Sequence, residues 1–297
     1  MATLYTQQTS NVRKTWLLVT GFLVAIIGLG WVFSYSLNDP IILYVAVVFS
    51  IVTNIIGYWY SDKIVLSISG AKPASREEYF DLYTVTENLA ITAGLPLPKI
   101  YIIPDDAPNA FATGRDKEHA TVAVTTGLLQ ILNRTELEGV IAHELSHIGN
   151  RDILLQTVVV ILVGFVAILS DLFLRVSFFG GGRDRDNKLG GIMVIVGLVL
   201  AVLSPIVAIL IQLAISRKRE FLADTSGALL TRYPEGLASA LEKISANSVP
   251  MKKTSNATAH LFIANPFGDT GFKGLHKLFL THPPVDERIK ALRQNGV

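Results

Sequence analysis

Four long apolar stretches constrain this chain more than any other feature of its sequence. They cover residues 16–36, 41–60, 152–174 and 189–215. At 1.5 Å per helical residue, each is long enough to cross about 30 Å of hydrocarbon. Hydrophobic residues make up 50% of the chain and the mean hydropathy is +0.44, which is high for a soluble protein. The sequence therefore predicts four membrane-spanning helices in two hairpins, with the first too long to be a cleavable signal peptide.

Lysine and arginine residues near the ends of these stretches predict the orientation. Basic residues precede the first stretch, follow the second, precede the third and follow the fourth. An even number of spans places all of these on one side. The loop after the first stretch has no basic residue, whereas the loop before the fourth has several, partly offset by Asp184 and Asp186. We expect a multi-pass protein of the cell (inner) membrane with both termini in the cytoplasm, a reducing compartment that the absence of cysteine fits.

The run His143-Glu144-Leu145-Ser146-His147 matches the H-E-x-x-H pattern. Two histidines four residues apart share one face of a helix, so both imidazoles can bind one zinc ion. The intervening Glu144 points to the neighbouring edge, where it can activate the attacking water as a general base. A capping box at Thr135 and Glu138, an apolar face at helical spacing and a stop at Gly149 predict a helix with the motif in its middle. The alternative is a pair of surface histidines in weak contact.

A catalytic zinc site needs a third protein ligand. The residues directly after His147 include no histidine, which excludes the metzincin spacing. Glu220 would bind the zinc, and Asp224, one helical turn later, would accept the spare N–H of a ligand histidine. On their own, Glu220 and Asp224 are better explained as surface acids that balance the basic residues 217–219 on a solvated helix face. Together with H-E-x-x-H they predict one zinc ion per chain, held at or just outside the membrane surface.

Residues 62–150 have the pattern of a small α+β domain. A capping box at 75–78 opens a helix that ends at Gly94. Strands are predicted at 99–103, 109–113 and 119–125, the last two joined by a hairpin turn, and Thr126 is expected to cap the next helix. Zinc peptidases commonly bind substrate as an added strand on a sheet edge, so we expect 109–113 to supply that edge. The alternative is an ordinary structural strand.

The chain beyond Asp224 is polar. Pro234 is expected to open a helix to about residue 244, and 245–260 to form a flexible loop. His282 precedes two prolines and a final helix that could direct it toward the catalytic cleft. The net charge of +2 and the absence of any phosphate-binding or nucleic-acid motif give no reason to expect nucleic acid.

On these residues the chain resembles the HtpX family of membrane-bound zinc metalloproteases, relatives of the CAAX prenyl endopeptidases. The resemblance covers essentially the whole sequence. It is carried by ordered blocks at 109–114, 143–147 with 150–152, 216–224, 260–266, and 281–284 with 287–289.

The resemblance implies a gluzincin-type fold, a cytoplasmic active site, and quality control of misfolded or damaged membrane proteins during stress. It also implies that Asn109 and Ala110, with Phe111 in the same block, meet the substrate. His282 and Arg288 would lie near the catalytic centre, where a donor or cationic side chain stabilises the oxyanion.

Three alternatives compete with this interpretation. A site-2-type intramembrane protease also has H-E-x-x-H, but it needs an intramembrane N-P-D-G-like segment, and 265–269 have the wrong order outside any span. A CAAX-type prenyl protease encloses a chamber with more than four spans. A non-catalytic zinc-bound scaffold would not need Glu144 as a base. We therefore expect a zinc metalloendopeptidase of class EC 3.4.24.

The combined prediction is an α-helical integral membrane protein with four transmembrane helices and a cytoplasmic α+β gluzincin-type zinc metalloprotease domain. The first transmembrane hairpin is assigned to 1–61 and the second to 152–216. The two parts of the protease domain are assigned to 62–151 and 217–297. Expected partners are the lipid bilayer and unfolded or misfolded membrane proteins, and the sequence indicates no oligomeric state.

Overall fold

The structure is a computed structural model that describes residues 4–179, 217–253, 255, 257–268 and 283–294. The predicted fourth apolar helix and His282 lie outside these residues. The described helices are α1 (Leu4–Leu37), α2 (Ile41–Trp59), α3 (Ser61–Ser69), α4 (Phe80–Ala93), α5 (Thr126–Ile131), α6 (Arg134–Gly149), α7 (Asp152–Phe179), α8 (Arg217–Thr231), α9 (Pro234–Ala246) and α10 (Val285–Gln294), with a short 3-10 helix at Ala259–Leu261. The strands are β1 (Lys72–Pro73), β2 (Lys99–Ile103), β3 (Ala110–Thr113) and β4 (Thr121–Thr125).

Two apolar helices lie where the first two spans were predicted. The candidate spans are Gln8–Val32 in α1 and Ile41–Trp59 in α2, and mean hydropathy over an 18-residue window within them reaches 2.1 and 2.2, respectively. Large apolar side chains on both helices are exposed, among them Trp16, Tyr44 and Ile55. An apolar helix with exposed apolar faces suits lipid on its outside and protein on its inside. The structure confirms two helices of membrane-spanning length and composition.

The third predicted stretch forms the helix α7. It leaves the end of α6 at a bend of 82°. Leu155, Val159 and Leu162 of α7 pack in one apolar cluster with Leu18 and Phe22 of α1. This contact packs the first apolar helix along α7.

The strands form one four-stranded sheet in the order β1-β2-β4-β3. β2 pairs with β4 in parallel, and β3 pairs with β4 antiparallel through the predicted hairpin. The three predicted strands are thereby confirmed with ends shifted by at most two residues. β3 is a terminal strand of the sheet and lies against α6, so one sheet edge faces the H-E-x-x-H helix.

Three of the predicted caps were wrong. The capping box predicted at 75–78 does not open α4, which begins at Phe80 after Tyr79, with no side-chain cap. The other two were wrong by one or two residues. The capping box of α6 is formed by Asn133 and Glu136 instead of Thr135 and Glu138, because Asn133 has the extended backbone (φ −78°, ψ 173°) that an N-cap requires. Thr125, not Thr126, caps α5 by accepting the N–H of Leu128. The predicted helix end at Gly94 is confirmed, with φ +63° at that glycine.

The main hydrophobic core lies between the sheet and the helices α4, α6 and α9. It contains Val122, Leu128, Ile141, Leu145 and Leu237, all essentially buried. α6 and α9 approach closely at Gly139, where an added Cβ would lie 2.6 Å from the backbone nitrogen of Leu237. The helix that carries the motif is thus enclosed on most sides, which fixes the direction of its side chains.

Candidate active site

The two histidines and the glutamate of the H-E-x-x-H motif are buried in the middle of α6. His143, Glu144 and His147 are each at most 4% exposed. The two histidine rings meet edge to face, and their Nε2 atoms are 3.2 Å apart. The surface-histidine alternative does not describe this arrangement, since both rings are directed into the protein.

α8 brings a second set of groups to the same place. Glu220, Asp224 and Gly227 are spaced four and three residues apart, so they share one helix face. That face lies on α6, because a Cβ at Gly227 would come within 3.0 Å of the backbone nitrogen of His143. The glycine permits backbone-to-backbone packing, and both carboxylates are carried to the histidines. The solvated-face alternative does not describe them either, as both acids are buried.

The carboxylate of Glu220 faces both imidazoles. Its Oε2 is 3.8 Å from His143 Nε2, and its Oε1 is 3.7 Å from His147 Nε2. The three residues together offer ligand atoms within 4.8 Å of one another. A tetrahedral zinc site with bonds of about 2.0–2.2 Å sets its ligand atoms roughly 3.3–3.6 Å apart. The observed spacing fits such an ion after movements of a few tenths of an ångström.

Each histidine ring has its own carboxylate on the side away from Glu220. His143 Nδ1 lies 2.9 Å from Asp224 Oδ1, and His147 Nδ1 lies 3.0 Å from Asp152 Oδ2. These contacts keep a proton on each Nδ1, which leaves each Nε2 with a lone pair. Two such lone pairs 3.2 Å apart repel each other unless a proton or a metal ion lies between them. The donor set therefore suits a metal ion.

The structure places Asp224 beside His143 Nδ1, whereas Asp152 was not among the predicted site residues. In the sequence Asp152 marks only the start of the third apolar stretch. The available signal was an acidic residue five positions after the second histidine, just beyond a predicted helix end.

The side-chain environment moves the pKa values of the two histidines in opposite directions. Burial lowers the pKa of His143 to about 4, against the opposing effect of Asp224. Burial also acts to lower the pKa of His147, but the hydrogen bond to Asp152 and the charge of Glu220 outweigh it and raise the value to about 9. Without a metal ion, the raised pKa of His147 favours the protonated form of this ring at neutral pH.

Glu144 lies beside the terminal strand β3. Burial raises its pKa to about 7, assisted by the negative charge of Glu220 and opposed by His147, Arg288 and a backbone hydrogen bond from Ala112. A carboxylate with a pKa near neutrality can take up and release a proton during turnover at neutral pH. Its contact with Ala112 also sets it at the sheet edge that was predicted to bind substrate.

Arg288 from α10 is 0% exposed and lies behind Asp224. Its Nε and Nη2 donate to Asp224 at 2.8 and 2.7 Å, and its Nη1 donates to the carbonyl of Ile263 at 3.3 Å. Arg288 thus reaches His143 through Asp224. The other residue expected near the oxyanion, His282, lies outside the described residues.

The predicted substrate-binding residues are at the start of β3. Asn109 donates to the carbonyl of Ala264 and accepts from the same residue's N–H, at 3.0 and 3.1 Å. The carbonyl of Ala110 accepts from Ile263 at 2.9 Å. Phe111 is fully buried against Phe262. The segment that follows the 3-10 helix therefore lies along the first part of this edge, and Ala112 is the next edge position beside Glu144.

Comparison with known proteins gives consistent relatives. A family model described as peptidase family M48 matches residues 77–295. A protease HtpX homolog of Thermoanaerobacter pseudethanolicus is 48% identical over 98% of this chain and 97% of its own length. The homolog of Caldanaerobacter subterraneus subsp. tengcongensis is 49% identical over 98% of this chain and 97% of its own length. The homolog of Thermococcus kodakarensis is 50% identical over 93% of this chain and 94% of its own length. The crystal structure of S. mikatae Ste24p aligns with a TM-score of 0.49 and 20% identity, over 97% of this chain and 66% of that chain.

Proposed function

Because the chain belongs to peptidase family M48 and is a membrane-bound zinc metalloprotease of the HtpX type, we propose that it cleaves misfolded or damaged membrane proteins at the cytoplasmic face of the membrane. The observation that carries this proposal is the buried triangle of His143, His147 and Glu220, with Glu144 beside a sheet edge and helices of membrane-spanning length next to it.

The three triangle residues are the proposed ligands of a single zinc ion. They supply two neutral imidazole nitrogens and one carboxylate, the set used by many zinc peptidases. When bound, zinc polarises the scissile carbonyl and lowers the pKa of water. Asp224 and Asp152 contact the Nδ1 atoms of the two rings, which leaves each Nε2 facing Glu220, where a zinc ion would bind.

Glu144 is the proposed general base. It takes the proton of the attacking water and passes it to the leaving amine. Burial supports both roles, because it raises the pKa of the carboxyl to about 7 and makes protonation easy. The hydrogen bond from Ala112 fixes the carboxylate relative to the strand along which a substrate would lie.

The outer edge of β3 is the proposed substrate-binding edge. Main-chain hydrogen bonds to such an edge are independent of side-chain sequence, which suits a protease that acts on unfolded chains. At Ala110 this edge is already bonded to Ile263. We assign the extended substrate to the part of the edge from Ala112 onward, with Asn109 and Phe111 fixing the start of the strand.

Arg288 is proposed as a positioning residue, since it contacts Asp224 and through it His143. Stabilisation of the oxyanion remains assigned to His282. The cytoplasmic orientation is supported by the basic residues that flank the apolar stretches, and four spans remain the proposed topology.

The proposal is tested with the purified full-length chain and its Glu144→Gln variant. Glutamine has the size of glutamate but cannot take a proton, so cleavage should fall by roughly 10²–10⁴ while zinc stays bound. Glu138→Gln, on the same helix but partly exposed, is the matched control and should cleave normally.

Two substrates define the activity. One is a membrane protein carrying a destabilising mutation, and the other is the same protein in its stable form. Cleavage of the first only, blocked by a chelator, is expected. Selective cleavage of a prenylated CAAX peptide would favour a prenyl protease, and zinc content without any cleavage would favour a scaffold.

A further inference from the structure

The helix α6 ends in an unusual corner. Arg151, between α6 and α7, has a φ of +57°, a left-handed conformation that residues with a side chain rarely adopt. The chain turns there, and α7 departs at 82°. The turn brings Asp152, the first residue of α7, back beside the ring of His147.

Two side chains of the first apolar helix, α1, bind this corner. Gln8 donates to the carbonyl of Gly149 at 2.7 Å. Asn11 donates to the carbonyl of Asn150 at 3.1 Å and to Asp152 Oδ1 at 2.6 Å. Both residues lie in the first turn of the candidate membrane-spanning segment that begins at Gln8. A helix of membrane-spanning length therefore contacts the metal-binding helix directly.

Asp152 joins this contact to a metal ligand. Its Oδ2 bonds to His147 Nδ1 at 3.0 Å, while its Oδ1 faces Asn11 and, at 3.6 Å, Arg219. His147, Asp152 and Asn11 are each at most 4% exposed. Water has little access to replace a partner that is lost.

We propose that Asp152 is a positioning residue for the zinc ligand His147 and that Asn11 sets the position of Asp152, which makes the first apolar helix part of the metal centre. This inference rests on the proposed zinc site. A carboxylate bonded to Nδ1 fixes both the tautomer and the plane of a ligand imidazole. The amide of Asn11 suits its place because it donates to one oxygen of Asp152 without adding a charge, and leaves the other oxygen for His147.

Asn11 lies outside residues 77–295, the part matched by the peptidase family model. The peptidase part alone would therefore lack one support of its own metal site. A role of α1 limited to anchoring the protein in lipid predicts no such dependence.

The experiment uses the full-length chain in detergent, stripped of metal. Zinc affinity is measured by competition with a chelating dye, and cobalt(II) is then bound as a probe whose visible bands report ligand geometry. Asp152→Asn removes the charge at constant size, and Asn11→Leu removes the donor at nearly constant size. We expect zinc affinity to fall by roughly 10–100-fold in Asp152→Asn and by roughly tenfold in Asn11→Leu, with altered cobalt bands in both.

Two variants of α1 serve as controls. Thr15→Val removes a buried hydroxyl that donates to the carbonyl of Asn11 within the same helix. Gln8→Leu removes a bond to α6 that does not involve Asp152. Both should keep the wild-type zinc affinity and cobalt spectrum, even where their thermal stability falls.

Wild-type affinity and cobalt bands in Asp152→Asn would overturn the inference, and this variant decides the matter if Asn11→Leu fails to fold. An equal loss of affinity in Gln8→Leu and Asn11→Leu would also overturn it, because general docking of α1 would then be the cause. If the wild-type chain bound neither zinc nor cobalt, the proposed metal site itself would be refuted, together with everything that depends on it.

Discussion

Replacing Arg288 by methionine should destabilise the protein by about 3–5 kcal/mol, the usual cost of removing one partner of a buried ion pair. The guanidinium is fully buried and donates to both oxygens of Asp224. Methionine preserves much of the side-chain length, so lost packing adds little. The cost arises because the carboxylate of Asp224 stays buried and charged after the guanidinium is removed. Of its partners described above, only His143 remains, at 2.9 Å.

The same contact sets a pH dependence. Burial alone would raise the pKa of Asp224, but Arg288 and His143 hold it well below its ordinary range. A lowered carboxyl pKa contributes stability that is present above the unfolded pKa, about 3.9, and is lost as the pH falls through the folded pKa. Arg288→Met should weaken this contribution, so its stability should differ most from wild type near neutral pH and least in acid.

The assay must follow the protease part. The three tryptophans, at 16, 31 and 59, lie in α1 and α2, so tryptophan fluorescence would report the wrong region. Hydrogen exchange of α6 and α8 in detergent, at increasing urea, measures the relevant unfolding free energy. Arg293→Met is the matched control on α10, since its ion pairs with Glu235 and Glu242 are exposed and its effect should be small.

A double-mutant cycle with Asp224→Asn isolates the pair. If the two residues act together, the double variant should be more stable than the sum of the single effects allows. Additive effects, or a cost for Arg288→Met below about 1 kcal/mol, would refute the reasoning.

Three further predictions concern the metal, the pH and the topology. Glu220→Ala should lose both zinc and activity, measured by metal analysis and casein cleavage, whereas Glu138→Ala should lose neither. The metal-free chain should lose about 2 kcal/mol of stability between pH 7 and pH 9 in urea titrations. The raised pKa of His147, about 9, contributes stability that is fully present below the unfolded value of 6.5 and is lost as the pH rises through about 9. The zinc-loaded chain, in which His147 is neutral, should show no such loss. Reporters fused after residue 64 and at the C-terminus should be cytoplasmic, and those near Asn38 and Asp186 external.

Each of these has a contradicting result. Stoichiometric zinc in Glu220→Ala would remove that residue from the ligand set. Equal stability of the metal-free chain at pH 7 and pH 9 would show that His147 is not held in its charged form. A cytoplasmic signal at Asp186 would mean that the third and fourth stretches do not both span the membrane.

The parts of the fold that the sequence predicted are those with strong local signals. The helix that carries the motif, the hairpin of β3 and β4, and the start of α9 at Pro234 each depend on periodicity or turn residues within a short window. The position of the first residue of α6 was harder to predict. Two overlapping capping boxes compete at 133–138, and only the backbone conformation of Asn133 decides between them.

The meeting of Glu220 with the histidines was predicted only because H-E-x-x-H calls for a third ligand. The packing that achieves it depends on Gly227, whose role is visible only once α8 is placed against α6. Asp152 was missed for a related reason. Its contact with His147 requires a left-handed residue at Arg151, and arginine gives no local signal for that conformation.

The two histidines proposed as ligands depend on opposite ends of the chain. His143 is supported by Asp224, which Arg288 of the C-terminal helix holds, and His147 by Asp152, which Asn11 of the N-terminal helix holds. Each support passes through one buried carboxylate, so each imidazole is oriented by a carboxylate that a side chain of another helix holds by hydrogen bonds. The family pattern in the middle of the chain supplies the ligands, but their geometry is set by residues far from it in sequence. Loss of either terminal helix should therefore weaken the metal site through a different histidine.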